Sequence, residues 1–287
     1  MDRWSRWLLE HRFGGDAAQR ERVLPKLLEY RDRVLAAAKI RPGNVVLDVG
    51  CGDGLLGVGA LDAVGESGQV VFSDISSDLL NHCQAIVAEL GLLDRCSFVH
   101  TGLPELASVD SESVDVAMTR SVLIYVDDKR ASFVALHRVL RPGGRLSIFE
   151  PINRFGHPEP PNRLLGLDVT GLEPLANKVM AVYRGYQPDG NPMVDFDERD
   201  LIGWAEEAGF IEVHLDYHVD IDQQPIEMTW SVLLRSSPNP LVPPLADVLA
   251  QALTLAEREV LEQRLQEQLS LGGASRRFAS AYLTAIR

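Results

Sequence analysis

The segment VLDVGCGDG, residues 46–54, has the residue types and spacing of a loop that binds a nucleoside. Gly50, Gly52 and Gly54 directly follow an apolar run, where glycine is suitable because a side chain would keep a ligand away from the backbone. The dinucleotide fingerprint Gly-x-Gly-x-x-Gly is not met, since Leu55 stands where its third glycine belongs. Asp48 adds a carboxylate that attracts an ammonium group and repels a pyrophosphate. The segment therefore predicts a nucleoside-like ligand without a diphosphate.

A second acidic residue, Asp74, ends the next apolar run, about twenty residues beyond the glycine loop. At that distance a carboxylate can accept hydrogen bonds from both ribose hydroxyls of a bound nucleoside. The alternative is a helix cap, because Ser76, Ser77 and Asp78 crowd the same turn. We favour ribose binding, since the loop and the acid occur together in register.

Three further side chains are candidates for proton transfer. Tyr125 and Glu150 are expected at strand ends, where ligands bind in open α/β sheets, and the tyrosine hydroxyl can orient an acceptor. His157, after the fifth predicted strand, is a candidate general base. The alternatives stay open, since a single histidine is often structural and Tyr125 can simply pack under a cap. The acidic residues of this region show no metal-ligand spacing, so no metal is expected.

Arg31 is predicted on the buried face of the first long helix, where a guanidinium needs a partner. It either meets a carboxylate of the ligand or forms an ion pair with Glu29 or Asp32. Trp4, Trp7 and Phe13 either close the site from above or belong to the core of that helix.

Apolar patterns predict the elements that position these residues. Helical spacing extends from Ala18 to Ile40, and later helices are expected at Leu55–Val64, Ser77–Leu92 and Lys129–Leu140. Short apolar runs alternate with them: NVVLDV, QVVFSD, CSFVH, SVDVAMT and RLSIFE. Two more strands are expected, near residues 210–219 and over the final RRFASAYLTAIR. The alternation indicates an α/β fold, with a parallel sheet covered by helices on both faces.

The alternation is interrupted twice, which predicts a domain plan. Residues 1–40 form an amino-terminal helical or cap segment, and residues 41–287 form the main domain. This domain carries cap insertions at about 151–195 and 222–271, both rich in turn-forming residues near their starts. The cleft above the strand ends should be roofed by Met1–Asp16 and by the insertion Pro151–Asp195.

The composition excludes several classes of partner. The 287 residues carry a formal net charge of −13, and their basic residues are scattered, so no phosphate-neutralising face for a nucleic acid is expected. No run of about 18 apolar residues can span a membrane, and the polar start does not fit a signal peptide. The three cysteines show no pairing or zinc spacing, which suits a reducing compartment. We expect a cytoplasmic location.

Four motifs together resemble the core of class I S-adenosylmethionine-dependent methyltransferases, especially the ubiquinone/menaquinone-type and related small-molecule enzymes. They are VLDVGCGDG, FSDIS at Phe72–Ser76, SVDVAMTRSVLIYV in the region of the fourth strand, and LRPGGRLSIFEP in the region of the fifth. The resemblance implies a Rossmann-like, doubly wound, seven-stranded and mostly parallel sheet with helical cap insertions.

The resemblance also implies a set of residues that contact S-adenosylmethionine. The glycine loop, including Cys51, would line the methionine portion, Asp74 and Ile75 the ribose, and Arg120 and Ser121 the floor beneath the sulfonium. The family often has an acidic residue after the third strand for the adenine amino group. Here the run is HTGL, which leaves the adenine contacts to the backbone of Gly102 and Leu103.

The sequence therefore predicts methyl transfer from S-adenosylmethionine to carbon, nitrogen or oxygen of a small-molecule acceptor, with secondary metabolism as the expected setting. In-line positioning of the acceptor should contribute most, because the cofactor brings an already activated methyl group. The alternatives are a non-catalytic S-adenosylmethionine-binding or sensing module, another sulfonium-using transferase, and a nicotinamide dehydrogenase.

Overall fold

A seven-stranded sheet with strand order β3-β2-β1-β4-β5-β9-β8 forms the centre of the molecule. The computed structural model describes residues 1–187, 190–222, 228–272 and 274–287. Strand β9 runs antiparallel to β5 and β8, while β1 to β5 pair in parallel, which confirms the mostly parallel sheet. The strands are β1 Val45–Val49, β2 Gln69–Asp74, β3 Cys96–His100, β4 Val114–Arg120, β5 Leu140–Pro151, β8 Ile211–Asp222 and β9 Arg276–Ile286.

Ten α-helices lie within the described ranges, and six of them belong to the amino-terminal part and the sheet layers. These six are α1 Arg3–Arg6, α2 Ala17–Ala38, α3 Leu55–Val64, α4 Ser77–Glu89, α5 Lys129–Val139 and α7 Glu198–Glu207. The boundaries agree closely with the apolar spacing. Helix α2 ends before the predicted Arg-Pro-Gly stop, because Lys39 already adopts a left-handed conformation with φ of 48°.

Side chains of the central strands alternate between two apolar layers. Leu47 and Val49 of β1 pack in the layer that includes α5 and α7. Val46, one residue out of phase, packs in the layer that includes α2, α3 and α4. The sheet is therefore buried on both faces, which explains why its strands read as continuous apolar runs.

Strand β5 begins earlier than the sequence predicts. Leu140 pairs with Val114, and pairing resumes with Arg145 opposite Val116, so the residues between them bulge out of the ladder. Gly143 has φ of 77° in this bulge. The predicted Pro-Gly-Gly turn therefore exists within the strand and does not precede it.

The two insertions pack against each other. The first contains β6 Arg163–Leu164, β7 Leu167–Asp168 and α6 Glu173–Gly185; the second contains α8 Trp230–Arg235, α9 Leu245–Ala252 and α10 Leu255–Ser270. Both contribute to one apolar cluster, whose fully buried members include Leu164, Val179, Leu249 and Leu261. We call the described parts of these insertions the cap. Residues 188, 189 and 223–227 of the predicted insertions lie outside the described residues.

The N-terminal segment, Met1–Asp16, is bonded to both the sheet domain and the cap. The backbone N–H of Asp2 donates to the Asp78 carboxylate on α4 at 2.6 Å. The Trp7 indole N–H donates to the carbonyl oxygen of Ser237 at 3.0 Å, and the Ser237 N–H donates to the carbonyl oxygen of His11. The segment therefore has a defined position across the carboxyl ends of the strands. In the described part of the chain, no helix is long and apolar enough to cross a membrane.

Candidate active site

A cavity of about 390 Å³ opens at the carboxyl ends of β1, β2 and β4. Ligands of open α/β sheets bind at this edge. We call its lower wall the floor, formed by the glycine loop and the ends of these strands. We call the residues of the N-terminal segment that cover it the roof: Trp4, Trp7, Leu8 and Arg12.

The first two glycines of the loop lie on the cavity wall in conformations that favour glycine. Gly50 has φ of 65° and Gly52 has φ of 56°. A Cβ at Gly50 would lie 2.5 Å from Val122, and one at Gly52 would lie 3.1 Å from the side chain of Leu8 in the roof. Both positions therefore require glycine, for the backbone conformation and for the close approach of Val122 and Leu8.

Gly54 has a different role from the one predicted. It does not line the cavity; it precedes α3 with φ of 83°, and a Cβ there would lie 3.2 Å from the Cys83 sulfur. Cys51 does line the cavity, and its sulfur lies 3.8 Å from that of Cys83. The hydrogen bond with the Cys83 thiol, together with burial, raises the pKa of Cys51 far above its usual range, so Cys51 is an uncharged wall residue.

Asp48 places a buried carboxyl group at the floor. Its Oδ2 accepts a hydrogen bond from the Gly57 N–H at 2.7 Å. Burial raises the pKa of Asp48 to about 7, against the opposing effects of that hydrogen bond and of the Arg120 charge. A cationic group of a ligand would favour the ionised form, so Asp48 suits an ammonium group.

Asp74 connects the glycine loop to the turn after β2. Its Oδ2 accepts from the Gly52 N–H at 3.0 Å and its Oδ1 accepts from the Ser76 N–H at 2.8 Å. The side chain still borders the cavity, and burial raises its pKa. Ser76 caps α4 by accepting from the Leu79 N–H at 3.1 Å, so the alternative role of helix cap belongs to the serine.

The predicted adenine side of the site also lies on the cavity wall. Ile75, Gly102 and Leu103 all line it, and a Cβ at Gly102 would come within 2.5 Å of the Ile75 side chain. The absence of a side chain at Gly102 therefore leaves room for the Ile75 side chain, so the two segments pack closely beside the cavity. Arg120 and Ser121, at the end of β4, complete the predicted set.

Tyr125 lies directly beneath the roof. Its ring meets Trp4 edge to face at 5.2 Å between centroids and Trp7 at 6.4 Å. Burial raises the pKa of the Tyr125 hydroxyl well above its usual range. The hydroxyl is therefore a hydrogen-bond donor at neutral pH and a poor base.

Glu150 supports Tyr125 from behind and does not line the cavity. Its Oε1 accepts from the N–H groups of Val122 and Leu123 at 2.9 and 3.0 Å, and its Oε2 accepts from Ile124 at 3.3 Å. Burial raises the pKa of Glu150 to about 7. The carboxyl group thus holds the turn that carries Tyr125, and it lies outside the cavity wall, away from the place where proton transfer was predicted.

Two predicted site residues lie elsewhere. Arg31 forms an ion pair with Asp32 at 2.7 Å and packs its stem beside Gly59, outside the cavity, which is the arrangement of its ion-pair alternative. His157 is exposed in the cap and does not line the cavity. The first insertion likewise contributes no described residue to the cavity wall, because it packs against the second insertion.

Sequence reasoning missed Arg12. Its guanidinium lies over the rings of Trp7 and Phe13, at 5.5 and 5.1 Å from their centroids, and it lines the cavity together with Arg120. The available signal was an arginine between two aromatic residues in a segment already expected to cover the site. Among the described residues, no cluster of His, Cys, Asp or Glu could hold a metal ion.

Part of the chain is similar in sequence to known methyltransferases. Residues 46–144 match the family model described as a methyltransferase domain. The ubiquinone/menaquinone biosynthesis C-methyltransferase of Pseudoalteromonas translucida is 32% identical over 130 residues, which are 45% of this chain and 50% of that protein. The chain thus matches about half the length of this relative.

Solved structures share the fold over most of the chain. A geranyl diphosphate C-methyltransferase of Streptomyces coelicolor, in complex with Mg²⁺, geranyl diphosphate and S-adenosylhomocysteine, has a TM-score of 0.52 at 15% identity. The comparison covers 90% of this chain and 77% of that one. The (4+2)-cyclase SpnF also has a TM-score of 0.52, at 18% identity, and covers 91% of this chain and 81% of its own.

Proposed function

We propose that this chain, which carries a class I S-adenosylmethionine-dependent methyltransferase domain, transfers the methyl group of S-adenosylmethionine to a small-molecule acceptor. The observation that carries the proposal is the cavity itself. Its floor has the glycine loop and two buried aspartates, and its roof is aromatic. One enclosed space thus offers a nucleoside site beside an apolar site.

The floor residues fit S-adenosylmethionine in chemistry and in order. Asp48 would hold the ammonium group, the backbone at Gly50 and Gly52 would border the methionine portion, and Asp74 would accept from the ribose hydroxyls. The adenine would lie along the backbone of Gly102 and Leu103, which line the cavity. When bound, the cofactor supplies a methyl group on a positively charged sulfur.

The roof residues fit an acceptor that is at least partly apolar. Trp4, Trp7 and Tyr125 present ring surfaces to the cavity and limit the access of water. Methyl transfer gains most from holding the acceptor in line and excluding water, so no strongly basic residue is required. Tyr125 would orient the acceptor by donating a hydrogen bond, and Glu150 would keep Tyr125 in place.

The electrostatic character of the chain favours a small molecule over a nucleic acid. The formal net charge is −13, and the described cavity contains only two arginines among its lining residues and no lysine. A nucleic-acid site needs several cations along a face to neutralise phosphates. We therefore place the substrate inside the cavity.

The experiment is transfer of labelled methyl from S-adenosylmethionine to components of a metabolite extract, read by mass spectrometry. Methyl transfer must be measured directly because the same fold occurs in a cyclase. We expect one or more labelled small molecules together with S-adenosylhomocysteine. Tight binding of S-adenosylhomocysteine without any labelled product would favour a non-catalytic binding module instead. Absence of binding would refute the cofactor assignment.

A further inference from the structure

Two arginine side chains on the cavity wall have no anionic contact among the residues that the structure describes. Arg12 comes from the roof and Arg120 from the end of β4, and both line the same cavity. Within the described ranges, neither guanidinium forms a hydrogen bond or an ion pair with another residue. Arg12 instead rests on two aromatic rings, which leaves its N–H groups available.

This arrangement is electrostatically unfavourable without a ligand. Burial and the positive charge of Arg120 lower the pKa of Arg12 to about 10, so Arg12 remains charged at neutral pH. The negative charge of Asp53 raises the pKa of Arg12, and the positive charge of Arg120 lowers the pKa of Asp48. Neither acid, however, forms an ion pair with either arginine. A buried or partly buried cation is costly unless an anion is brought to contact distance.

The proposed cofactor makes an added anion more necessary. S-adenosylmethionine brings a positive sulfonium and a positive ammonium into the cavity, and two unneutralised guanidinium groups would repel both. A carboxylate offers two oxygens to the planar fork of each arginine and removes the repulsion. Because Arg12 belongs to the roof and Arg120 to the floor, one carboxylate between them would also link the two walls.

We propose that Arg12 and Arg120 together bind a carboxylate group of a ligand in this cavity. The inference rests on the proposed function, since it takes the nucleoside site of the floor as given. Two ligands can supply the group: the cofactor, through its methionine carboxylate, or the acceptor, through an acid group of its own. The two sources are separated by binding measurements that require no turnover.

The first arm compares S-adenosylhomocysteine with 5′-methylthioadenosine, which has the nucleoside and the thioether but no carboxylate. Calorimetry measures both ligands with the wild-type protein and with the variants Arg12→Gln and Arg120→Gln. If the cofactor supplies the carboxylate, each variant weakens S-adenosylhomocysteine binding by about tenfold to a hundredfold, the scale for a hydrogen bond to a charged group. Binding of 5′-methylthioadenosine stays unchanged.

The second arm tests the acceptor. Protein saturated with S-adenosylhomocysteine is titrated with benzoate and, separately, with the neutral analogue benzamide. Quenching of tryptophan fluorescence reports binding, because Trp4 and Trp7 form part of the cavity wall. If the acceptor supplies the carboxylate, the wild-type protein prefers benzoate by at least about tenfold, and each variant loses that preference.

The matched control is Arg130→Gln, which removes a mostly exposed arginine that pairs with Glu207 on the surface. This variant should leave the wild-type affinities unchanged for both pairs of ligands. The proposal is overturned if 5′-methylthioadenosine binds normally and both variants keep the wild-type preferences in the two arms. These preferences are S-adenosylhomocysteine over 5′-methylthioadenosine, and benzoate over benzamide. If the wild-type protein binds neither S-adenosylhomocysteine nor 5′-methylthioadenosine, the proposed function fails instead.

Discussion

The floor and the roof of the cavity are held in place by different kinds of contact. Asp48 and Asp74 hold the floor through hydrogen bonds from backbone N–H groups, within a sheet buried on both faces. The roof rests on edge-to-face contacts of Trp4 and Trp7 with Tyr125, and on few polar bonds to α4 and the cap. Changes in the floor should therefore alter affinity for the nucleoside, whereas changes in the aromatic contacts of the roof should alter turnover.

The largest effect is expected from Gly52→Val in the floor. Its Cβ would approach Leu8 at 3.1 Å, and a β-branched residue opposes the φ of 56°. We expect S-adenosylhomocysteine binding to weaken by more than about a hundredfold in calorimetry, since strain and blockage each cost on the order of 1–3 kcal/mol. Gly203→Val is the matched control, because Gly203 on α7 has no neighbour within 4 Å of an added Cβ. Equal affinity in the two variants would mean that the loop does not hold the ligand.

Removal of residues 1–16 should break the roof and leave the floor intact. The deletion exposes Tyr125 and admits water to the acceptor site, so we expect turnover to fall by about a hundredfold or more. Affinity for 5′-methylthioadenosine should change by less than about threefold, within the usual scatter of surface changes. Thermal unfolding checks that the remaining chain is folded. A folded, truncated protein with full turnover would show that another element covers the acceptor.

Tyr125→Phe is a smaller change at the boundary between the two regions. The ring and its contacts with Trp4 remain, and only the hydroxyl is lost. We expect kcat to fall by about tenfold to a hundredfold, the lower part of the range for acid-base assistance, with little change in cofactor affinity. Steady-state kinetics on an identified acceptor would measure it. An unaltered kcat would reduce the tyrosine to a packing role and leave the positioning account in place.

The smallest effect concerns the protonation of Asp48. The pKa of this carboxyl is raised to about 7, and a ligand ammonium favours the ionised form. As pH falls below 7, a proton must be released on binding, so S-adenosylhomocysteine affinity should decline by up to about tenfold per pH unit. Above pH 7 the affinity should level off.

Asp48→Asn should remove this slope, and 5′-methylthioadenosine, which lacks the ammonium, should not show it in the wild type. A slope that persists in the variant would assign the proton to another group.

In the free protein the raised pKa of Asp48 has the opposite consequence for folding. The contribution of Asp48 to the free energy of unfolding is fully present at pH values below the ordinary pKa of an aspartate, and it is lost as pH rises through about 7.

The sequence predicted the floor better than the roof, and the reason is physical. Glycines at fixed spacing after a strand, and an acid at the end of the next one, are local patterns with few structural solutions. Gly50, Gly52 and Asp74 accordingly lie together on the cavity wall. Gly54 belongs to the same pattern but precedes α3 and does not line the cavity, because the motif also has to begin a helix.

The remaining site residues depend on contacts between distant segments. Arg12 reaches the cavity because the N-terminal segment is bonded to Asp78 and to Ser237, far away in the sequence. Glu150 accepts hydrogen bonds from a turn about thirty residues earlier, which no local pattern reveals. Arg31 has apolar spacing around it and still pairs with its neighbour Asp32, because its long stem packs while its charge stays outside.

The most direct test of the division between floor and roof is a crystal structure of the protein with S-adenosylhomocysteine. The account predicts the ribose hydroxyls within hydrogen-bond distance of Asp74, the ammonium beside Asp48, and the thioether sulfur on the side of the cavity that faces Tyr125. A ligand bound outside this cavity, or one whose ribose lies away from Asp74, would contradict it.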